Sequence, residues 1–306
     1  MKVLVATEKP FAPVAIEGIR REVEDAGFAL ELLEKYTDRA QLLDAVADAD
    51  ALIVRSDKID AEVIGMAKNL KIIVRAGAGY DNIDLAAAKA RGIVVENTPG
   101  QNSNAVAELV FGLAVMAVRN MYNGTSGTEL KGKRLGIQAF GQVGRNVARI
   151  GHGFEMNISA LDPYCPDDVM LAANVTPVHT VKDLYANNDV VSIHIPATPE
   201  TRGSIGYDLI TLMPKKGVLI NTARKEVIDE EGLLRALTER TDIKYVADLR
   251  PDNADALEAA APGRVFFTPK KMGAQTAEAN INAGIAAARQ TVAMLRDKVV
   301  RFQVNK

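Results

Sequence analysis

Two pieces of the sequence decide the fold: Lys133-Arg-Leu-Gly-Ile-Gln-Ala-Phe-Gly-Gln-Val-Gly-Arg145 and, downstream, Leu161-Asp-Pro163. An apolar run is followed by a turn of small residues, a helical pattern, a second apolar run and a carboxylate. This order is typical of a βαβ unit that binds a dinucleotide, because small residues let the backbone approach a pyrophosphate at a helix N-terminus. Asp162 lies 18 residues after Gly144, near the spacing at which an acid binds the adenosine ribose.

One position departs from the glycine fingerprint of such units. Ala139 stands where the first glycine of G-x-G-x-x-G would be. An alanine still permits the tight turn if its φ stays negative, so we expect a negative φ there. Asp162 should repel the 2′-phosphate of NADP, and NAD is therefore the expected cofactor. The residues expected to contact the cofactor here are Gly141, Gln142, Val143, Gly144, Asp162 and Pro163.

The composition excludes several classes of protein. The chain has 306 residues, of which 48% are hydrophobic, and a net charge of −2, which offers no basic face to nucleic acid. Neither a leader pattern nor an apolar run of about 18 residues is present, so a cytoplasmic protein without a membrane partner is expected. The single Cys165 excludes an internal disulfide, and no metal site is expected because the three histidines are far apart in sequence.

Apolar runs alternate with helical patterns along most of the chain. This alternation predicts an α/β fold of two Rossmann-like, doubly wound parallel-sheet domains. The predicted strands are Lys2–Ala6, Ala51–Arg55, Lys71–Arg75, Ile93–Glu96, Arg134–Ala139, Ile158–Leu161, Val190–Ile195, Val218–Asn221, Lys244–Ala247 and Val265–Thr268. Long helices are predicted over Asn102–Asn120 and Ala274–Leu295, and a last strand over Val299–Val304.

Eight motifs, spread over nearly the whole chain, suggest a family. They are Ile53–Ser56, Val74–Leu85, Asn97–Glu108, the fingerprint with Asp162-Pro163, Ser192–Pro196, Gly217–Arg224, Val227–Glu230 and Thr268–Thr276. In this order they resemble the motifs of the D-isomer-specific 2-hydroxyacid dehydrogenases. The resemblance implies a discontinuous substrate-binding domain (1–100 and 283–306), an NAD-binding Rossmann domain (101–282), a catalytic cleft between them, and a homodimer. Long forms of the family carry C-terminal regulatory domains, and a short form is expected here because the sequence ends at Lys306.

The chemistry of the family requires a cation, a base and a nicotinamide. The cation holds the substrate carboxylate and polarises the forming carbonyl, the base accepts the hydroxyl proton, and the nicotinamide receives the hydride. By resemblance Arg224, which follows Asn221-Thr-Ala223, is the catalytic arginine. Its planar guanidinium can bind carboxylate and carbonyl oxygens together. The alternative is a surface arginine at a strand end.

The proton acceptor departs from the family pattern. Relatives use a histidine in a Pro-His-x-Gly-Ala segment, supported by a glutamate earlier in the chain. Here the segment reads Thr268-Pro-Lys-Lys-Met-Gly-Ala-Gln-Thr276, which places Lys271 at the histidine position, and the glutamate position falls near Asn253. We therefore predict that Lys271 is the proton acceptor, with Lys270 as the neighbouring alternative.

The two departures are physically consistent. A lysine has a pKa near 10.4 and needs a lower one to act as a base near neutrality, whereas a paired carboxylate would keep it protonated. Loss of the glutamate, together with Arg224 and the positive nicotinamide ring, is expected to lower the pKa of Lys271. The alternatives are that Lys271 only binds an anion, or that the chain is catalytically inactive.

Further cofactor contacts are expected at later strand ends. By resemblance they are His194, Ile195, Thr222, Ala223, Asp248 and Gly273. His194 belongs to a V-x-x-H-x-P element and is assigned to cofactor contact, with a core histidine as the alternative. Asp248 matches an aspartate near the nicotinamide amide, and its alternative is a helix cap or turn residue.

Substrate contacts are expected in the first block of the chain. They are Arg55, Ser56, Arg75, Gly77, Ala78, Gly79 and Asn102. The loop Gly77–Gly79 can turn backbone N–H groups toward a carboxylate. Two arginines suit a dianionic phosphate, so 3-phospho-D-glycerate is the expected substrate. The resemblance implies that it is oxidised to 3-phosphohydroxypyruvate for serine biosynthesis. Structural ion pairs are the alternative for each arginine.

Two other functions remain open at this point. The chain could act on another D-2-hydroxy acid, such as glycerate, glyoxylate or lactate. It could also be a non-catalytic NAD-sensing protein on the same fold, because the histidine and glutamate are absent and fold alone does not settle function.

Overall fold

Two parallel sheets, each with its own hydrophobic core, organise the chain. The computed structural model describes all 306 residues, Met1–Lys306. Unit 1 comprises Met1–Asn102 and Gln275–Lys306, and unit 2 comprises Ser103–Ala274. None of the helices combines the length and the apolar character that spanning a lipid bilayer requires.

Twelve strands and twelve α-helices form these units. The strands are β1 (Lys2–Thr7), β2 (Ala29–Glu34), β3 (Ala51–Val54), β4 (Ile72–Arg75), β5 (Val94–Asn97), β6 (Arg134–Gln138), β7 (Asn157–Leu161), β8 (Thr176–Pro177), β9 (Val190–Ile193), β10 (Val218–Asn221), β11 (Lys244–Ala247) and β12 (Val265–Phe267). The helices are α1 (Pro13–Asp25), α2 (Arg39–Val46), α3 (Ala61–Met66), α4 (Leu85–Ala90), α5 (Ser103–Val118), α6 (Gln142–Gly153), α7 (Asp167–Ala172), α8 (Val181–Ala186), α9 (Tyr207–Ile210), α10 (Glu230–Glu239), α11 (Ala254–Ala260) and α12 (Ala277–Asp297).

Unit 1 is a five-stranded parallel sheet of order β2-β1-β3-β4-β5. Strand β3 shows why it forms: Leu52 and Val54 pack into one apolar cluster, and Ala51 and Ile53 pack into another. A strand buried on both faces reads as a continuous apolar run, as parallel sheets covered by helices do. Helix α12 packs on α1, so residues 275–282 group with unit 1 and not with the segment 101–282.

Unit 2 is a seven-stranded parallel sheet of order β12-β11-β10-β9-β6-β7-β8. The chain extends the sheet from β6 to β8 on one side and then continues from β9 on the other side of β6. Doubly wound sheets bind their ligands where the strand order reverses, outside the carboxyl ends of the strands. In unit 2 that point lies between β6 and β9, and in unit 1 it lies between β1 and β3. The prediction of two doubly wound parallel sheets is confirmed.

The strand predictions were incomplete at the sheet edges. The first ten predicted strands are all present, but the edge strands β2 and β8 were missed. Strand β2 lies at an edge and contains two glutamates, and β8 has only two residues, so neither gives a strong apolar run. The last predicted strand, Val299–Val304, is wrong. In this segment only Gln303 pairs with another strand residue, as an isolated β-bridge. The backbone N–H groups of Arg301 and Phe302, which a β-strand would use to pair with its neighbour, donate instead to the Glu96 carboxylate.

The turn after β6 departs from expectation at Ala139, whose φ is +81°. The prediction of a negative φ was wrong. The Ala139 N–H donates to the Leu161 carbonyl at 2.8 Å, and a Cβ added at Gly144 would lie 2.3 Å from the Ala139 oxygen. Helix α6 passes so close to the turn that Ala139 is held at a positive φ. This backbone conformation costs a residue other than glycine about 1–3 kcal/mol.

Substitution Ala139→Gly should stabilise the protein. Relief of the positive φ outweighs the extra entropy of glycine in the unfolded chain by about 0.5–1 kcal/mol, which raises Tm by about 2 °C. Gly144→Ala is the opposite control, since its Cβ would meet the Ala139 carbonyl, and we expect a loss of about 2 kcal/mol or more. Thermal melting of the three proteins measures both effects. A lower Tm for Ala139→Gly than for wild type would contradict the inference that the backbone at Ala139 is strained.

Candidate active site

Most predicted cofactor residues of unit 2 lie where its strands end. Because the strands are parallel, their carboxyl ends share one edge of the sheet. Residues 139–144 follow β6, Asp162 and Pro163 follow β7, His194 and Ile195 follow β9, Thr222–Arg224 follow β10, and Asp248 follows β11. The segment that carries Lys271 and Gly273 follows β12.

The turn between β6 and α6 has the features of an anion cradle. Gly141 is the N-cap of α6 and no side chain caps the helix, so its first N–H groups are left for another acceptor. The Asp162 carboxylate accepts the Phe140 N–H at 2.8 Å and the Tyr164 N–H at 2.9 Å. An ionised carboxylate has further acceptor capacity on both oxygens. The acid is thus held beside the turn and can still accept hydroxyl groups.

His194 lies at the point where the strand order reverses. Its backbone N–H donates to the Gln138 carbonyl at 2.9 Å, and its Nε2 lies 2.9 Å from the Ser192 hydroxyl. Burial lowers the pKa of His194 to about 3, so the ring is neutral near pH 7. A neutral imidazole with so low a pKa does not supply an acid near neutrality, and the contact of His194 with a cofactor stays a prediction.

Two cationic side chains converge on one carbonyl oxygen after β10. The Arg224 guanidinium (Nη1) donates to the Ala223 oxygen at 3.0 Å, and the Lys271 ammonium (Nζ) donates to the same oxygen at 3.4 Å. The fold thereby brings together residues that are 47 positions apart in the sequence. The pair has the composition that a 2-hydroxy acid requires: a planar guanidinium for its oxygens and an amine beside it.

The turn that presents Arg224 depends on Asn221, which the sequence analysis did not assign. Its side-chain Nδ2 donates to the Arg224 carbonyl at 2.9 Å, and its Oδ1 accepts the Ala223 N–H at 2.9 Å. Asparagine at the end of a strand commonly forms such side-chain turns. This local signal could have identified Asn221 as the residue that shapes the turn.

Asp248 fixes the segment that carries Lys271. The residue is 2% exposed, and its carboxylate accepts three hydrogen bonds. One comes from the Thr268 hydroxyl at 2.9 Å, and the others come from the backbone N–H groups of Met272 and Gly273, both at 2.7 Å. A Cβ at Gly273 would lie 2.8 Å from this carboxylate, so glycine permits the contact. Asp248 therefore holds this turn, and its contact with a cofactor stays a prediction.

The position expected to lack the family's glutamate contains a different network. Asn253 donates its backbone N–H to the Glu230 carboxylate and its side-chain Nδ2 to the Glu230 backbone carbonyl, each at 2.8 Å. The same Glu230 carboxylate accepts the Asp252 N–H, and Asp252 pairs with Lys225 at 2.5 Å. Glu230 and Asp252 thus hold the segment around Asn253 together.

The residues present fit a bound dinucleotide. The N-terminus of α6 has no side-chain cap, and a Cβ at Gly144 would fill the close approach of turn and helix. In addition, the Thr222 hydroxyl is buried at the carboxyl edge and has no hydrogen-bond partner in the chain. An orphaned buried hydroxyl is costly and indicates a ligand or water at this point.

In unit 1, Arg55 and Asp57 lie at the reversal between β1 and β3. The Arg55 guanidinium donates to the carbonyls of Lys9 at 2.8 Å and Pro10 at 3.0 Å, and to Asn280 Oδ1 at 2.6 Å. Asp57, which is 5% exposed, accepts the Tyr36 hydroxyl and two backbone N–H groups. Asp57 and Asn280 were not identified from the sequence, because the contacts that single them out, of Asp57 with Glu8 and Tyr36 and of Asn280 with Arg55, join residues distant along the chain.

The other predicted substrate residues gather around the end of β4. Arg75 Nε donates to the Arg55 carbonyl at 3.0 Å. The Arg75 guanidinium fills the space that a Cβ at Gly77 would need, and the φ of Gly77 is +148°. The Ala78 carbonyl accepts from Asn97 at 2.7 Å, which fixes the loop Gly77–Gly79. Ser56 is exposed beside Arg55, and Asn102 ends the first segment of unit 1.

His194 should make the protein less stable in acid. Since the pKa is about 3 in the folded state and 6.5 when unperturbed, the unfolded chain binds more protons between these values. Stability therefore falls as pH drops below about 6.5, by at most about 1.4 kcal/mol per pH unit. His194→Gln should flatten this part of the stability profile, whereas His179→Gln, which removes an exposed imidazole, should not. Denaturant melts from pH 7 to 4.5 test this, and equal slopes in wild type and His194→Gln would contradict it.

The chain is similar to known proteins over most of its length. Residues 111–269 match the family model for the D-isomer specific 2-hydroxyacid dehydrogenase, NAD binding domain. The D-3-phosphoglycerate dehydrogenase of Methanocaldococcus jannaschii is 37% identical over 289 residues, which cover 87% of this chain and 54% of the relative. A hydroxypyruvate reductase of Thermotoga maritima is 36% identical, with 84% of this chain and 88% of the relative covered.

A solved structure is similar over the whole chain. The crystal structure of NAD⁺-bound 3-phosphoglycerate dehydrogenase from Entamoeba histolytica is 47% identical, with a TM-score of 0.89, and covers 100% of this chain and 99% of that one. This chain spans about half the length of the curated D-3-phosphoglycerate dehydrogenases from archaea that it matches. The family model, the relatives and the site geometry lead to one conclusion: this chain belongs to the D-isomer-specific 2-hydroxyacid dehydrogenase family.

Proposed function

We propose that this protein is an NAD-dependent dehydrogenase that oxidises 3-phospho-D-glycerate to 3-phosphohydroxypyruvate, a step of serine biosynthesis. The observation that carries the proposal is the convergence of Arg224 and Lys271 on the Ala223 oxygen. The names of the relatives support the substrate class. In the reaction the C2–H bond breaks, the hydride leaves for the cofactor, the hydroxyl proton leaves for a base, and a C=O bond forms.

NAD, when bound, supplies the carbon that accepts the hydride. The N-terminus of α6 (Gly141–Gly144) would hold its pyrophosphate, and Asp162 and Pro163 would lie at its adenosine ribose. His194, Ile195, Thr222, Ala223, Asp248 and Gly273 are assigned to the remaining cofactor contacts. Unit 2 is thus the proposed cofactor domain, and unit 1 is the proposed substrate domain.

Lys271 is the proposed proton acceptor in place of histidine. A neighbouring cation disfavours the protonated form of an amine, and Arg224 donates to the same oxygen as Lys271. The Asp248 carboxylate fixes the backbone directly after Lys271, which limits where the amine can reach. In this arrangement Arg224 polarises the forming carbonyl while Lys271 accepts the hydroxyl proton.

Arg55 and Arg75 are the proposed phosphate-binding groups of unit 1. Both guanidinium-bearing residues meet at the carboxyl edge of β3 and β4. Phosphate is well matched by guanidinium groups, which bind its oxygens with two parallel hydrogen bonds. The loop Gly77–Gly79, with Ser56 and Asn102, is assigned to the carboxylate end of the substrate. A cytoplasmic location and a homodimer remain predictions from the sequence.

A second candidate function is a non-catalytic NAD-binding sensor. It is favoured by one observation, the lysine at the position where relatives have histidine. Tight NADH binding without turnover of any acid in a panel of glycerate, lactate, glyoxylate and hydroxypyruvate, alongside 3-phosphoglycerate, would select the sensor. Turnover of an unphosphorylated acid alone would select a different dehydrogenase of the same family.

Replacing Lys271 by alanine should abolish most of the activity. Loss of a general base lowers kcat about 10²–10⁴-fold, and we expect Lys271→Ala to fall in this range while NADH affinity, measured by fluorescence, stays within about threefold. Lys271→His should restore part of the rate and move the acidic limb of the pH–rate profile of oxidation to lower pH, because a base must be deprotonated to act and histidine has the lower unperturbed pKa. Lys270→Ala is the matched control, because Lys270 is an exposed neighbour of equal charge. Wild-type rates in Lys271→Ala would exclude the role.

The phosphate assignment is tested by comparing 3-phosphoglycerate with D-glycerate, which lacks only the phosphate. Arg55→Met and Arg75→Met should each reduce the preference for the phosphorylated acid, measured as the ratio of kcat/KM values, by about tenfold or more. Arg20→Met, which removes an exposed arginine from the surface of α1, should leave the ratio unchanged. An equal loss on both acids would refute the assignment.

A further inference from the structure

Arg55 is an unusual cation because all the acceptors of its guanidinium are neutral. They are two backbone carbonyls, of Lys9 and Pro10, and the amide oxygen of Asn280. The face of the Phe11 ring lies 5.2 Å from the guanidinium carbon. Burial lowers the pKa of Arg55, while the nearby Asp57 acts against this. A partly desolvated cation with neutral partners keeps its charge for an incoming anion.

The nearest carboxylate does not neutralise this guanidinium by a hydrogen bond. Asp57 Oδ1 accepts the Tyr36 hydroxyl at 2.9 Å and the Glu8 N–H at 2.7 Å, and its Oδ2 accepts the backbone N–H of Arg55 at 3.3 Å. The carboxylate therefore orients the strand end and the loop after β1. The guanidinium itself is positioned by the amide of Asn280.

The orientation of the Asn280 amide is fixed from the other side. Its Nδ2 donates to the carbonyl of Thr276 at 2.8 Å, and Thr276 is the N-cap of α12, where its hydroxyl accepts the Ala279 N–H at 3.1 Å. The amide oxygen consequently points to Arg55 Nη2. The amide donates to Thr276 and accepts from Arg55 at once without adding a charge.

We propose that Asn280 is a positioning residue that orients Arg55 and keeps it unneutralised, and thereby sets the affinity for the anionic end of the substrate. This inference rests on the proposed function of Arg55 in binding the substrate. An aspartate at 280 would occupy the same place, pair with the guanidinium and compete with the substrate anion. Because residue 280 lies near the N-terminus of α12, a negative charge there is compatible with the helix.

The test is steady-state kinetics with 3-phosphoglycerate at saturating NAD. Asn280→Asp should raise KM about tenfold or more and Asn280→Ala about threefold, while kcat stays within about threefold; Asn280→Gln, which keeps the amide, should recover part of the loss. Asn282→Asp is the matched control: it adds the same charge to an exposed asparagine of the same helix. A KM for Asn280→Asp no higher than for Asn282→Asp would overturn the proposal.

A double-mutant cycle tests whether Asn280 acts through Arg55. In the Arg55→Met background, Asn280→Asp should change KM by less than about twofold. A full effect of Asn280→Asp without the guanidinium would overturn the proposal. A purely structural role predicts a lower Tm with unchanged KM, which would also overturn it.

Failure of the proposed function gives a different result. If wild type prefers an unphosphorylated D-2-hydroxy acid, the phosphate assignment fails and the same KM comparison is made with that acid. If wild type turns over no acid, the interaction between residue 280 and Arg55 is tested by melting temperatures instead. The proteins compared are wild type, Arg55→Met, Asn280→Asp and the double variant. Non-additive shifts, with Asn280→Asp stabilising only when Arg55 is present, support the pairing, and additive shifts overturn it.

Discussion

The parallel arrangement of the strands is the constraint on which the rest of the structure depends. A parallel sheet places the carboxyl ends of all its strands on one edge, and the loops that leave this edge carry the polar residues. In unit 2 this constraint collects the turn after β6, the acid after β7, the histidine after β9, the arginine after β10 and the aspartate after β11. In unit 1 it collects Arg55 and Arg75. The residues of each site are therefore brought together by the order of the strands in the sheet and not by being close in sequence.

Buried carboxylates give these edges their shape. Asp248 in unit 2 and Asp57 in unit 1 are almost fully buried. The carboxylate of each accepts hydrogen bonds from backbone N–H groups and from one hydroxyl. An ionised carboxylate that accepts several hydrogen bonds is a stable organising centre, whereas an unpaired one would be costly. In unit 1, the guanidinium of Arg55 donates instead to neutral acceptors: two backbone carbonyls and the amide oxygen of Asn280.

Features of the fold that depend on neighbouring residues in the sequence were predictable, whereas features that depend on tertiary contacts were not. The alternating apolar runs were sufficient for the two doubly wound sheets, because strands buried on both faces have an unbroken apolar sequence. The edge strand β2 and the C-terminal segment 299–304 were not predictable from such runs. Strand β2 mixes glutamates with leucines, and the apolar segment 299–304 is tied down by the side chain of Glu96 instead of a ladder. Ala139 likewise adopts a positive φ because α6 packs against the turn, a tertiary contact that overrides the preference of alanine.

The sequence by itself determined the fold class, the family and the residue types at the strand ends, including the lysine at position 271. Apolar periodicity, glycine spacing and motif order are local properties that a single chain displays directly. Only the tertiary structure decided which of these side chains meet. Arg224 meets Lys271, Asp248 binds the segment after β12, and Asn280 binds Arg55. These contacts join residues 20 to 225 positions apart. Such contacts arise from sheet order and helix packing, which fix distances in space that spacing along the chain does not encode.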